Sequence, residues 1–147
     1  MISCTEFIPA YSEGFKFIER LGGRSELEKF WSELSDIYLK DTLQKLITEK
    51  GLAGCFDYWS HSLNEEAADF TMILDEDKDE FTIDLHKCPS MGMLLELKHM
   101  TPYHSYCDHC PALYKPIAEA SGYVYTSEIN CDNASCKITI KGPKNDI

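Results

Sequence analysis

Apolar positions recur along this chain with two different periods, and the change between them divides it. Up to residue 51 they return every three or four residues. Residues 7–21 form one such stretch, which predicts a helix stopped at Gly22-Gly23, with Gly14 as its weak point. Ser25 and Glu28 have the spacing of a capping box, in which the two side chains satisfy free amides at a helix start. From there Leu27, Phe30, Trp31, Leu34, Ile37 and Tyr38 predict a second helix, continuing through Leu43, Leu46 and Ile47 to Gly51. A stripe of this kind reads as a core-facing surface.

From residue 70 the period falls to two. Residues 70–74 and 81–86 read as strands, and the polar run from Asp75 to Glu80 joins them into a hairpin. That acidic run lacks the glycine and the distal glutamate of a calcium loop. Residues 91–99, after Cys88-Pro89-Ser90, read as a short helix. Residues 111–120 read as another, closed by Gly122, with Pro116 inside it as a possible kink. Residues 123–129 and 137–140 alternate as strands. The order is ααββααββ, which predicts a single α+β domain over residues 1–147: N-terminal helices packed on one face of a small antiparallel sheet built from two hairpins.

Composition adds constraints. Of 147 residues, 44% are hydrophobic, enough for one core; only the tail, residues 141–147, reads as disordered. The net charge of −11 repels phosphate backbones and anionic lipid, so neither nucleic acid nor a membrane surface is an expected partner. The sequence carries neither a secretory leader nor a stretch apolar enough to span a bilayer, and the expected location is cytoplasmic.

Seven cysteines in a reducing compartment point away from a disulfide framework and toward metal binding or thiol chemistry. Five of them, Cys88, Cys107, Cys110, Cys131 and Cys136, fall at predicted element boundaries, where loops can turn several side chains toward one point. Cys107-x2-Cys110 followed by Cys131-x4-Cys136 approaches a zinc-ribbon spacing, although the second pair is wider than usual. Such soft donors would select zinc or an iron–sulfur cluster, with His86, His104 and His109 as further donors. Separate buried thiols and a redox pair are the competing readings. Pro111 suits a first helical position, which places Cys110 at the N-cap, where free amides and the helix dipole favour a thiolate. Cys110 is thus the candidate nucleophile, Cys107 its neighbour, and His109 a base, a ligand or an ordinary hydrogen-bonded histidine. Asp108 suits a helix start. Tyr103, Tyr106 and Tyr114 suit either a pocket wall or core packing.

Leu85-His86-Lys87-Cys88-Pro89, Tyr106-Cys107-Asp108-His109-Cys110, the turn at Gly122 and Ser135-Cys136-Lys137-Ile138-Thr139-Ile140 together resemble the L-2-amino-thiazoline-4-carboxylic acid hydrolase-like family. The resemblance spans residues 70–140, the cysteine-rich half. Cys88, Cys107 and Cys136 match its pattern; Cys110 and Cys131 depart from it and would complete a metal site. It implies hydrolytic opening of a small sulfur-containing ring at a C=N carbon, by a thiolate or by a metal-activated water. The expectation is therefore a small cytoplasmic hydrolase acting on a small sulfur- and nitrogen-containing molecule. The alternatives are a non-catalytic zinc or iron–sulfur module serving as sensor or accessory protein, and a small-molecule binding domain with structural zinc. Substrate identity and oligomeric state carry no sequence signal.

Overall fold

In a computed structural model, which describes residues 4–65 and 68–143 (side chains 6–63 and 68–143), the N-terminal third is helical throughout. Helix α1, Cys4–Leu34, is broken at Gly23, whose φ of 80° is open to glycine and costly for other residues. The predicted stop is therefore a kink from which the helix resumes at once. Glu28 does not serve a capping box there: its carboxylate accepts from Arg24 Nε at 3.1 Å.

Beyond Leu34 the chain widens into a π-helical segment, Ser35–Gln44, and tightens again as α2, Lys45–Lys50. The buried residues explain this. Leu27, Trp31, Ser35, Leu39, Leu43 and Ile47 are all buried, one every four positions. On a helix of 3.6 residues per turn, each step of four rotates the stripe by about 40°. A wider π turn rotates it back, so one straight face stays inside over the whole length. The same change overturns two expectations: Ile37 and Tyr38 point outward, 76% and 56% exposed.

Helix α3, Leu52–Glu65, fills a stretch for which the sequence reading assigned no element. Its own pattern is nonetheless helical, since Leu52, Cys55, Trp59 and Leu63 are buried. Strands β1 (Asp69–Asp75) and β2 (Glu80–Lys87) form the expected hairpin. Helix α4 (Pro89–Glu96), a 3₁₀ turn (Tyr106–Asp108) and α5 (His109–Ala120) follow, and α5 runs through Pro116 without ending. Strands β3 (Val124–Asn130) and β4 (Ser135–Lys141) make the second hairpin. The sheet is antiparallel in the order β1-β2-β4-β3, so the two hairpins join through β2 and β4. Lys141 belongs to β4; residues 144–147 of the predicted disordered tail lie outside the described residues.

One face of the sheet is apolar. Phe81, Ile83 and Leu85 on β2, Tyr125 on β3, and Ile138 and Ile140 on β4 point into a core shared with the π segment, α2, α3 and α5. The other face is polar, with Thr126, Thr139 and Thr82 aligned across three strands. A second cluster lies beside the first: Phe15, Leu27 and Trp31 of α1 pack on Met91 and Leu94 of α4, on Tyr103 and Tyr106, and on Ala134. Ser12, fully buried, accepts the Tyr103 amide at 2.8 Å and ties α1 to that loop. Among the described residues no helix is long and apolar enough to cross a membrane.

Where α3 begins, the backbone of α2 comes so close that only glycine fits. A Cβ on Gly54 would lie 2.3 Å from the Leu46 carbonyl oxygen and 2.8 Å from the Ile47 nitrogen. Gly54→Ala is expected to destabilise the fold by about 1–3 kcal/mol, an overpacking cost set by backbone that cannot rotate away; a thermal melt of the variant at the wild-type temperature would contradict this packing.

Candidate active site

The two hydrophobic clusters meet along a seam, and a cavity of about 40 Å³ lies in it. Leu85, Tyr125 and Ile138 wall it from one cluster; Met91, Tyr106 and Ala134 wall it from the other. Between them stand Cys88, Cys107, Cys110 and Cys136. Four of the five boundary thiols therefore reach a single space, and the fifth, Cys131, is hydrogen-bonded to Cys107. The six described cysteines are all free thiols.

Cys88 arrives there through an irregularity in β2. Phe70 of β1 lies opposite Leu85, but the next residue back, Asp69, lies opposite Lys87, so His86 is an extra residue. The β4 side agrees: Cys136 faces Leu85, and two residues earlier the Ala134 carbonyl accepts the Cys88 amide at 2.7 Å. Strict alternation after Phe81, Ile83 and Leu85 would have turned Lys87 inward. The bulge shifts the phase by one, sending Lys87 to solvent and Cys88 to the cavity. His86 stays on the outer surface, bonded to Asp69 at 3.0 Å and Thr71 at 3.3 Å.

Cys110 is not the N-cap of α5. The chain is already helical from Tyr106, and Asp108 N–H and His109 N–H are taken by the carbonyls of Ser105 and Tyr106. Cys110 is the second residue of α5, Pro111 the third, and the expected ring of free amides is partly used up. Asp108 does not cap the helix either. Its carboxylate binds Arg24 at 2.9 Å, while the same guanidinium reaches the Tyr103 hydroxyl and lies 4.8 Å from the centroid of the Trp31 ring.

A neighbouring imidazole, and not the helix terminus, is the polar group set beside the thiol. His109 Nδ1 is hydrogen-bonded to the Tyr106 carbonyl, and a carbonyl only accepts, so the ring proton is on Nδ1. Nε2 then carries the lone pair, and it lies 3.5 Å from Cys110 Sγ. The ring is held between Phe15, at 5.6 Å, and Tyr106, edge-on at 4.7 Å. Burial there lowers its pKa, against the opposing pull of the Tyr106 carbonyl and Asp108, so it is a neutral base at pH 7.

The other thiols behave differently. Burial raises Cys107, with Cys131 adding to the shift, and pushes Cys136 up to about 12. They remain protonated thiols near neutral pH. Tyr103 and Tyr106 are core residues, and Tyr114 packs edge-on to Trp59. Sequence reasoning missed Tyr125. Its ring lines the cavity, its hydroxyl is buried with no hydrogen-bond partner among the described residues, and Ser127 is near it without reaching bonding geometry. Burial, then the neighbouring Cys110 and Cys136, raise its pKa, so it stays a donor. Nothing in the alternation of Tyr123 and Tyr125 distinguished it.

Among the described residues, no three of Cys, His, Asp and Glu converge closely enough to hold an ion. His104, exposed, and His86, on the outer surface, are not at the cavity. No protein-family model, curated protein or solved structure matches the chain.

These shifts fix the pH response. Cys136 holds its proton in the fold and releases it near 9 when unfolded, so its contribution is complete below pH 9.0 and is lost as pH rises toward about 12. His109 works at the other end: below 6.5 the unfolded chain takes up a proton that the native ring refuses, so stability falls with falling pH. Urea midpoints measured across pH are expected to form a plateau between these limits. Cys136→Ser should lessen the alkaline fall, to which buried Cys55 and Cys107 also contribute, and His109→Gln the acid one.

Proposed function

We propose that this chain is a thiol-dependent hydrolase of small molecules that present a C=N carbon within a sulfur- and nitrogen-containing ring. Cys110 is its nucleophile and His109 its general base. The observation that carries this reading is the contact between Cys110 Sγ and His109 Nε2 at 3.5 Å, with the tautomer set by the Tyr106 carbonyl. The substrate class follows the resemblance of residues 70–140 to the aminothiazoline carboxylate hydrolases.

In this scheme Nε2 takes the thiol proton as sulfur bonds to the electrophilic carbon. The π pair of the C=N bond moves to nitrogen, which receives the proton back from the imidazolium. Collapse of the tetrahedral centre breaks one ring bond, to sulfur or nitrogen, and leaves the carbon on Cys110. Water deprotonated by Nε2 then adds to that carbon and displaces the thiol. The Tyr125 hydroxyl, unpartnered and still protonated, supplies a hydrogen bond to the charge that develops on the leaving atom.

Size constrains where the substrate sits. A space of about 40 Å³ holds one water and not a heterocycle. The cavity shares Ile129, Asn130, Ser135 and Cys136 with an open groove of about 370 Å³, whose rim includes Asp84, Glu128 and Lys137. The ring occupies the groove, and only its reacting carbon enters past Cys136. The free thiols of the site fit a reducing compartment, which supports a cytoplasmic location in this reading.

Iodoacetamide at neutral pH is expected to label Cys110 ahead of Cys107 and Cys136, as read by peptide mass spectrometry. His109→Gln should slow that labelling by roughly tenfold or more, the scale of a lost base. Cys110→Ser should lose turnover of an aminothiazoline carboxylate on the order of 10³-fold while the melting profile is kept. Full turnover by the purified Cys110→Ser protein would remove this residue from the mechanism, and stoichiometric zinc or iron in anaerobically purified protein would favour a metal module instead.

A further inference from the structure

Helix α1 carries a second apolar stripe that the monomer leaves uncovered. Its inward face is Ile8, Ser12 and Phe15. On the opposite side Phe7, Ala10, Gly14, Phe17 and Leu21 follow one another at intervals of three and four, the spacing of a helix–helix seam. Phe7, Phe17 and Leu21 are 47%, 52% and 71% exposed, and a Cβ built on Gly14 meets nothing within 4 Å. The two small residues, Ala10 and Gly14, lie in the middle of the stripe with the large side chains on either side. That arrangement lets a second helix cross closely at its centre.

We propose that this face is the interface of a homodimer in which two copies of α1 cross antiparallel, about a two-fold axis near Gly14. The charges select this occupant. One flank of the stripe carries Glu6, Glu13 and Arg20 at seven-residue intervals. Antiparallel pairing sets Glu6 of one copy against Arg20 of the other, twice by symmetry, and sets Phe17 over Ala10 and Phe7 over Leu21 of the second copy. Parallel pairing would stack Phe17 on Phe17 and set the two charged flanks on opposite sides of the seam, where Glu6 and Arg20 could not pair. Glu13 would face its own copy across the axis, but Lys16 already neutralises it at 2.8 Å. The Arg20 guanidinium lies 5.4 Å from the centroid of the Phe17 ring, which places its charge at the edge of the seam. The surface is self-complementary, as an isologous contact requires. A single helix pair is a small interface, of the weak and concentration-dependent class.

Sedimentation velocity of the full chain at low salt, from dilute to concentrated solution, tests this. A monomer–dimer equilibrium is expected. Phe17→Glu should abolish it without changing the melting profile, because that side chain is outside both cores. Arg20→Glu should weaken it by roughly three- to tenfold, the scale of two exposed ion pairs, and combining it with Glu6→Arg should restore it. A chain that stays monomeric throughout, a dimer that survives Phe17→Glu, or a double swap that fails to restore Arg20→Glu would overturn the arrangement.

Discussion

Removal of water from the seam between the two hydrophobic clusters is the constraint on which the rest of this structure turns. The helix–sheet core and the α1–α4 core each close on their own aliphatic and aromatic residues, and sulfur fills the line where they meet. Cys88 and Leu113 touch both clusters. A thiol suits that position because it packs as a small apolar group and still offers a weak donor. The same dryness decides the chemistry, since a buried thiol keeps its proton unless a base is set beside it.

Among the described thiols, Cys110 has a neutral imidazole beside it. The selection is local in origin. One backbone carbonyl, that of Tyr106, accepts from His109 twice, once from the amide and once from Nδ1–H. That fixes both the path of the 3₁₀ turn and the tautomer of the ring. Arg24 holds the turn from outside through Asp108, and the buried Ser12–Tyr103 bond holds the loop that leads into it. An exposed ion pair of this kind stabilises little by itself, and its effect here is on geometry. The two faces of α1 accordingly differ: one anchors the turn that carries Cys110 and His109, and the other is exposed.

Much of the architecture was legible along the chain. Phe81, Ile83 and Leu85 alternate, as do Cys136, Ile138 and Ile140, and the polar run between residues 75 and 80 admits little besides a turn. The cysteines stood out because they gathered at boundaries, and they do converge. What escaped has physical reasons. The stripe of Leu27, Trp31 and Leu39 has a period of four, which neither an α-helix nor a strand matches, so Ile37 and Tyr38 were placed on the wrong side. Helix α3 was given no element: Gly51 does end α2, and the next segment carries Gly54, a weak helix former that here permits a close helix crossing. The N-cap assignment of Cys110 followed from Pro111 alone and could not register a helical turn starting four residues earlier.

Short-range preference fixes the elements and their inward faces, since each depends on neighbours within a turn or a hairpin. The sequence by itself therefore determined the α+β frame of helices and two hairpins, short of α3, and the set of sulfurs directed toward its boundaries. It did not determine which thiol has an imidazole beside it. That depended on a bulge at His86 that exchanges Lys87 for Cys88, on a Tyr106 carbonyl that orients an imidazole, and on a Tyr125 hydroxyl left without a partner. The bulge and the surroundings of Tyr125 join residues far apart along the chain, while the tautomer is set by a local contact that the closed cores hold in place. Only the folded protein specifies them, because desolvation and hydrogen-bond geometry have no value until the two cores close on one another.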